Sequence, residues 1–118
     1  MGRVKDGWRY FAEHANEVPK ARELMNRWDK TVQFSLDGED PFYLTFYNGT
    51  VSLSEGTHAK PDVTMKGKED VFYRLMTGEL DRMRAFILGR FKFEGSLKDA
   101  ARFGDIGDAV RKAVRFPP

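Results

Sequence analysis

The sequence contains no cysteine, which removes disulfides, thiolate metal sites, iron–sulfur clusters and cysteine nucleophiles from consideration together. Its two histidines, His14 and His58, leave little from which to build a histidine metal centre or a catalytic triad. Long hydrophobic runs are also missing. The longest is Ala85-Phe86-Ile87-Leu88, four residues, where a bilayer span needs about 20. The polar start, Met1-Gly2-Arg3-Val4-Lys5-Asp6, has no signal-peptide core, and Asp6 stands where N-myristoylation wants Ser or Thr. The last residues, Arg115-Phe116-Pro117-Pro118, are not a peroxisomal tripeptide. No nucleophile elbow or phosphate loop occurs, and Gly38, Gly49 and Gly56 read as turn glycines. These absences predict a soluble cytoplasmic protein and remove most enzyme, metal and cofactor chemistry.

What is present is a chain of 118 residues that suits one domain over 1–118, with 41% apolar and 32% charged residues. Sixteen side chains are Phe, Tyr or Trp, and ten of these are Phe. Charge nearly balances, at 20 Lys and Arg against 18 Asp and Glu, but unevenly: residues 1–73 carry net −2 and residues 74–118 net +4. A basic C-terminal part attracts anionic membrane surfaces weakly, so a transient membrane contact is one expectation, with Arg82, Arg84 and Arg90 as candidates. Solvated helix faces explain the same arginines.

Periodicity divides the chain. Val4, Trp8, Phe11, Ala12 and Ala15 recur at helical spacing, with Lys5, Arg9 and Glu13 on the other side. Pro19 either kinks this helix or opens a second one through Ala21, Leu24, Met25 and Trp28. From residue 31 the period becomes two: Val32, Phe34 and Leu36; Phe42, Leu44 and Phe46; Val51 and Leu53; Val63 and Met65. Each run predicts a strand with one apolar and one polar face. Asn48-Gly49, which also opens a glycosylation sequon, reads as a type I′ hairpin turn. Val71, Phe72, Leu75 and Met76 mark a helix stopped by Gly78. Leu80, Met83, Phe86 and Ile87 mark a shorter one stopped by Gly89. Phe91 and Phe93 alternate in a fifth strand, and Ser96 with Asp99 caps a closing helix through Phe103, Ile106 and Val110. Gly104 and Gly107 predict a kink or a loose segment inside that helix.

The sum is an α+β, two-layer sandwich: a five-stranded, mostly antiparallel sheet with helices on one face and a bare polar face on the other. The fifth strand follows a helical crossover and is allowed to lie parallel to its neighbour. Met83 to Leu88, broken only by Arg84, form an apolar flap over the sheet, with room for a cavity beneath.

Three segments carry a family resemblance: Pro61-Asp62-Val63-Thr64-Met65-Lys66-Gly67, the helix end Leu75-Met76-Thr77-Gly78-Glu79-Leu80, and the run from Gly78 through Gly89 to Gly95. Over about residues 20–115 the chain resembles the sterol carrier protein 2 (SCP-2) family. The resemblance implies a hydrophobic tunnel between sheet and helices that takes fatty acids, acyl-CoA, sterols, phospholipids or isoprenoids, with no chemistry of its own. It also implies a free-standing prokaryotic member. Ser96 departs from the acidic residue common after the third glycine, which bears on a helix cap more than on a ligand wall.

Under that resemblance the ligand-binding candidates are Phe46, Met65, Phe72, Met76, Met83, Phe86, Ile87, Phe91, Phe93, Phe103, Ile106 and Val110. Methionine suits irregular ligands because it is unbranched and polarisable. The same residues also suit an ordinary core. Glu39-Asp40, Glu69-Asp70, Asp105 and Asp108 fall in turns and exposed faces, where helix capping accounts for them. Tyr43 and Tyr47 share the polar sheet face, but Phe91 and Phe93 point inward, so no base-stacking platform for nucleic acid forms. A homodimer across the polar face is the better expectation. A small cavity enzyme, or an interaction module with a collapsed cavity, are the alternatives to a carrier.

Overall fold

Helix α1 spans Arg3–His14 and buries Val4, Trp8 and Phe11 against the sheet, as their spacing requires. Its N-terminus is capped from afar. The Glu39 carboxylate, in the loop after the first strand, accepts the Val4 N–H at 2.9 Å and the Lys5 N–H at 3.1 Å. Gly7 lets the Met76 side chain lie directly on the helix, where any Cβ would overlap its sulfur. A 3₁₀ turn at Ala15–Glu17 follows, and Pro19 opens α2 (Pro19–Met25) as its first residue, so two helices form and not one kinked one. Lys5, expected on the solvent side of α1, is buried, and its ammonium donates to Glu55 at 2.7 Å. That hydrogen bond raises the Lys5 pKa above its ordinary value and holds the Glu55 carboxyl below its own.

The structure, a computed structural model, describes residues 2–114; Met1 and residues 115–118, which include the end read above as no targeting signal, lie outside it. Five strands form one sheet in the order β3-β2-β1-β4-β5. They are β1 (Lys30–Asp37), β2 (Phe42–Tyr47), β3 (Thr50–Glu55), β4 (Val63–Lys68) and β5 (Phe91–Gly95). The register pairs Phe34 with Phe42 and with Met65, and Met65 with Phe93, so apolar side chains run across the inner face. Asn48 (φ 54°) and Gly49 (φ 78°) make the β2–β3 turn, both at the positive φ that a type I′ turn demands.

Two expectations about the sheet are corrected. β5 lies antiparallel to β4; the parallel pair is β1 with β4. Two helices, α3 (Glu69–Thr77) and α4 (Arg82–Ile87), separate β4 from β5, and β5 starts beside the end of β4, with Gly67 opposite Phe91. Nor is the polar face bare. To reach β4, residues 56–62 cross that face, and Gln33 holds them there. Its Nε2 donates to the carbonyls of Gly56 (3.1 Å) and Phe42 (3.0 Å), and its Oε1 accepts the His58 N–H at 2.8 Å. Gln33 is only 3% exposed as a result. Asp62 and Thr31 exchange two further bonds, and the Tyr43 ring meets His58 edge-on. The face expected to serve a homodimer is thus partly covered by the chain itself.

The core lies between the inner sheet face and α1, α2, α3 and the closing helix α5 (Leu97–Ala113). α5 runs unbroken through Gly104 and Gly107, contrary to the kink expected there. The Arg82 guanidinium lies across Gly104 where a Cβ would stand, and Trp8 packs on Gly107. The two glycines admit partners that a side chain would displace.

Candidate functional site

The β4–β5 half of the sheet and the helices above it do not close on each other. Between them is a cavity of about 330 Å³, at the low end of the range for small-molecule sites, about 300–1,000 Å³. Its sheet side is Met65, Phe91 and Phe93, with Phe34 and Trp8 at the inner end; α3 contributes Phe72, Leu75 and Met76. α4 contributes Met83 and Phe86, whose ring lies 5.9 Å from Phe91 and 5.5 Å from Phe93. α5 supplies the remaining wall: Leu97, Phe103, Asp108 and Arg111, and between them the small residues Ala100, Gly104 and Gly107 at helical spacing, with Ala101 beside them. Met83, Phe86 and Leu97 both line the cavity and reach solvent, so the mouth lies between α4 and the start of α5.

One part of the wall is polar. Arg82 donates to the Ala101 carbonyl and pairs with Asp105 and Asp108, and Arg111 reaches the other oxygen of Asp108 at 3.4 Å. The Asp108 carboxylate is thus held between two guanidinium groups, and Arg82 is fixed in place instead of extending toward solvent. At the inner end the Trp8 indole N–H is buried with no hydrogen-bond partner among the described residues. No group of His, Asp and Glu suited to a metal ion occurs among the described residues.

Of the twelve residues expected to meet a ligand, eight line this one cavity: Met65, Phe72, Met76, Met83, Phe86, Phe91, Phe93 and Phe103. Four do not. Phe46, Ile106 and Val110 are fully buried in the core away from the cavity, because β2 sits two strands from β4 and because Ile106 and Val110 turn from the Gly104 face of α5. Ile87 points outward from α4 and is 73% exposed, since Ala85 takes the inward position of that short helix. Arg82, expected at an anionic headgroup or membrane, lines the cavity, and Trp8, Leu75, Asp108 and Arg111 were missed. The Ala100-Gly104-Gly107 stripe was the available signal for where they converge.

A family model described as the SCP-2 sterol transfer family matches residues 11–108. The chain belongs to that family. Sterol carrier protein 2 of Arabidopsis thaliana is 32% identical over 65 residues, which cover 55% of this chain and 53% of that protein. This chain therefore spans about half the length of that SCP-2 relative. The solution structure of palmitated SCP2L2 from Aedes aegypti shares the fold, with a TM-score of 0.72 at 14% identity over 91% of this chain and 95% of that one. The same SCP-2 fold forms part of a stereoselective sec-alkylsulfatase, Pisa1 from Pseudomonas sp.. There the TM-score is 0.63 at 23% identity, covering 72% of this chain and 14% of the sulfatase. Among the described residues no helix is long and apolar enough to cross a membrane.

Proposed function

We propose that this protein is a non-enzymatic cytoplasmic carrier that holds one single-chain or isoprenoid-like lipid in the cavity between β4–β5 and α3, α4 and α5. The observation that carries the reading is the wall itself, three methionines and six phenylalanines around one space with a solvent-reaching mouth. Burial of the ligand's apolar surface drives binding, and the methionines adapt the wall to an irregular shape. The modest volume favours a slender ligand over a two-chain lipid. Orientation comes from few polar groups: Arg82 and Arg111 at the polar wall and the unpartnered Trp8 N–H at the inner end. A general base is not on offer at the polar wall, because Asp108 is engaged by both arginines. The palmitated state of the Aedes aegypti relative fits an acyl-chain ligand.

Native mass spectrometry of the purified protein, followed by organic extraction, tests this. A co-purifying lipid, or a thermal shift on adding a fatty acid, a sterol or a polyprenol, is the expected result. No apolar ligand and no shift with any of the three classes overturns it.

A further inference from the structure

We propose that the outer surface of α4 and the start of α5 docks onto an anionic bilayer, with the cavity mouth facing the lipid. The inference rests on the carrier reading for its purpose, but its evidence is separate. Six large apolar side chains are exposed among the described residues, and five of them, Met83, Phe86, Ile87, Leu88 and Leu97, fall within one stretch of 15 residues. The sixth, Tyr47, lies on the distant β2. Scattered exposed apolar residues are ordinary, whereas a contiguous group marks an interaction surface. Ile87 and Leu88 face solvent without lining the cavity, so ligand contact does not account for them.

The charges around this patch are mostly basic: the exposed Asp81 at the start of α4 turns its carboxylate to the Arg84 N–H at 2.9 Å. Arg84, Arg90 and Lys98 are exposed and make no ion pair among the described residues. Nearby acids are engaged elsewhere: Asp105 and Asp108 by Arg82, Glu94 by Lys66 at 2.8 Å, and Asp99 by Lys30 at 3.4 Å. Apolar side chains flanked by long cationic ones match a bilayer interface, where the former enter the acyl boundary and the latter reach lipid phosphates. A second copy of the chain fits less well, since a two-fold contact through this patch brings two sets of the unpaired Arg84, Arg90 and Lys98 into one interface. Met83, Phe86 and Leu97 belong to both the patch and the cavity mouth, so docking brings the opening to the membrane.

Vesicle flotation of the full chain at low salt tests this, using phosphatidylcholine alone and phosphatidylcholine with phosphatidylserine. Binding should favour the anionic vesicles and weaken as salt rises. Arg84→Glu with Arg90→Glu should lower that binding by about tenfold or more. Ile87→Asp should lower it comparably, while uptake of a fluorescent fatty acid from solution stays at the wild-type level, because Ile87 is off the cavity wall. Equal binding to both vesicles, no binding to either, or variants that float like wild type each overturn the proposal. So does a dimer that Ile87→Asp dissociates in the absence of vesicle binding. Failure of fatty-acid uptake with intact vesicle docking sinks the carrier reading and leaves the docking surface standing.

Discussion

The two halves of the sheet use phenylalanine in opposite ways. Around β1 and β2, Phe34 and Phe42 stack with ring centroids 4.7 Å apart, Phe46 meets Trp28 at 5.1 Å, and none of the three phenylalanines is exposed by more than 1%. Around β4 and β5, Phe86 meets both Phe91 and Phe93, yet the three surround a space and Phe86 is 42% exposed. Residue type does not distinguish the halves; what lies over each strand does. α1, α2 and the Ile106–Val110 side of α5 fill the first half. The short α4 and the glycine face of α5 leave the second half hollow. Along the Ala100, Gly104 and Gly107 stripe α5 offers no long side chain of its own to interlock with the aromatic rings opposite.

The sharpest way to break this contrast is Phe46→Ala. It should lower stability by about 3–5 kcal/mol, seen in chemical denaturation, while any folded fraction binds ligand with wild-type affinity. A ligand affinity that falls with the stability change would mean the packed half shapes the cavity after all. Phe86→Asp should do the reverse. The half-exposed ring contributes about 1 kcal/mol to stability, but a carboxylate at the mouth should cut lipid uptake by more than about tenfold, measured by fluorescent ligand titration. Normal uptake by a folded Phe86→Asp variant would move the mouth away from α4.

The smallest effect concerns the packed half alone. The Glu55 carboxyl is lowered from its ordinary 4.5 by Lys5, so the pair's contribution is present above that pH and is lost as pH falls through the lowered value. Lys5 is raised from 10.5, so the contribution is also complete below that pH and is lost only as pH rises past the raised value. Glu55→Gln should therefore be less stable than wild type near neutrality, and the gap should close in acid. A gap that persists at pH 3 would point to packing in place of charge.

Much of this was readable from pattern. Period-two alternation placed all five strands because each has one dry face, and Asn48-Gly49 marked its turn because few residue pairs accept two positive φ angles. Eight cavity residues followed from apolar spacing together with the family resemblance. The misses share a cause. Gln33 reads as a solvent position because its neighbours alternate, and only the distant residues 56–62 bury it. Gly104 and Gly107 read as weak points because intrinsic propensity says nothing of an arginine or a tryptophan arriving from another element. Phe46, Ile106 and Val110 carry the same apolar signature as the wall, and no local period separates the two fates.

The strap formed by residues 56–62 has a consequence for anyone who wishes to modify this molecule. Surface loops are ordinarily where foreign sequence is spliced in, and a glycine-bearing link between strands looks inviting. This one is stitched to the sheet at Gly56, His58 and Asp62, so added residues there would unzip Gln33 and Thr31 from their partners. The better insertion point is the Asn48-Gly49 turn at the far edge, where no atom lies within 4 Å of the space beyond Gly49, provided that the residue taking the positive φ stays glycine.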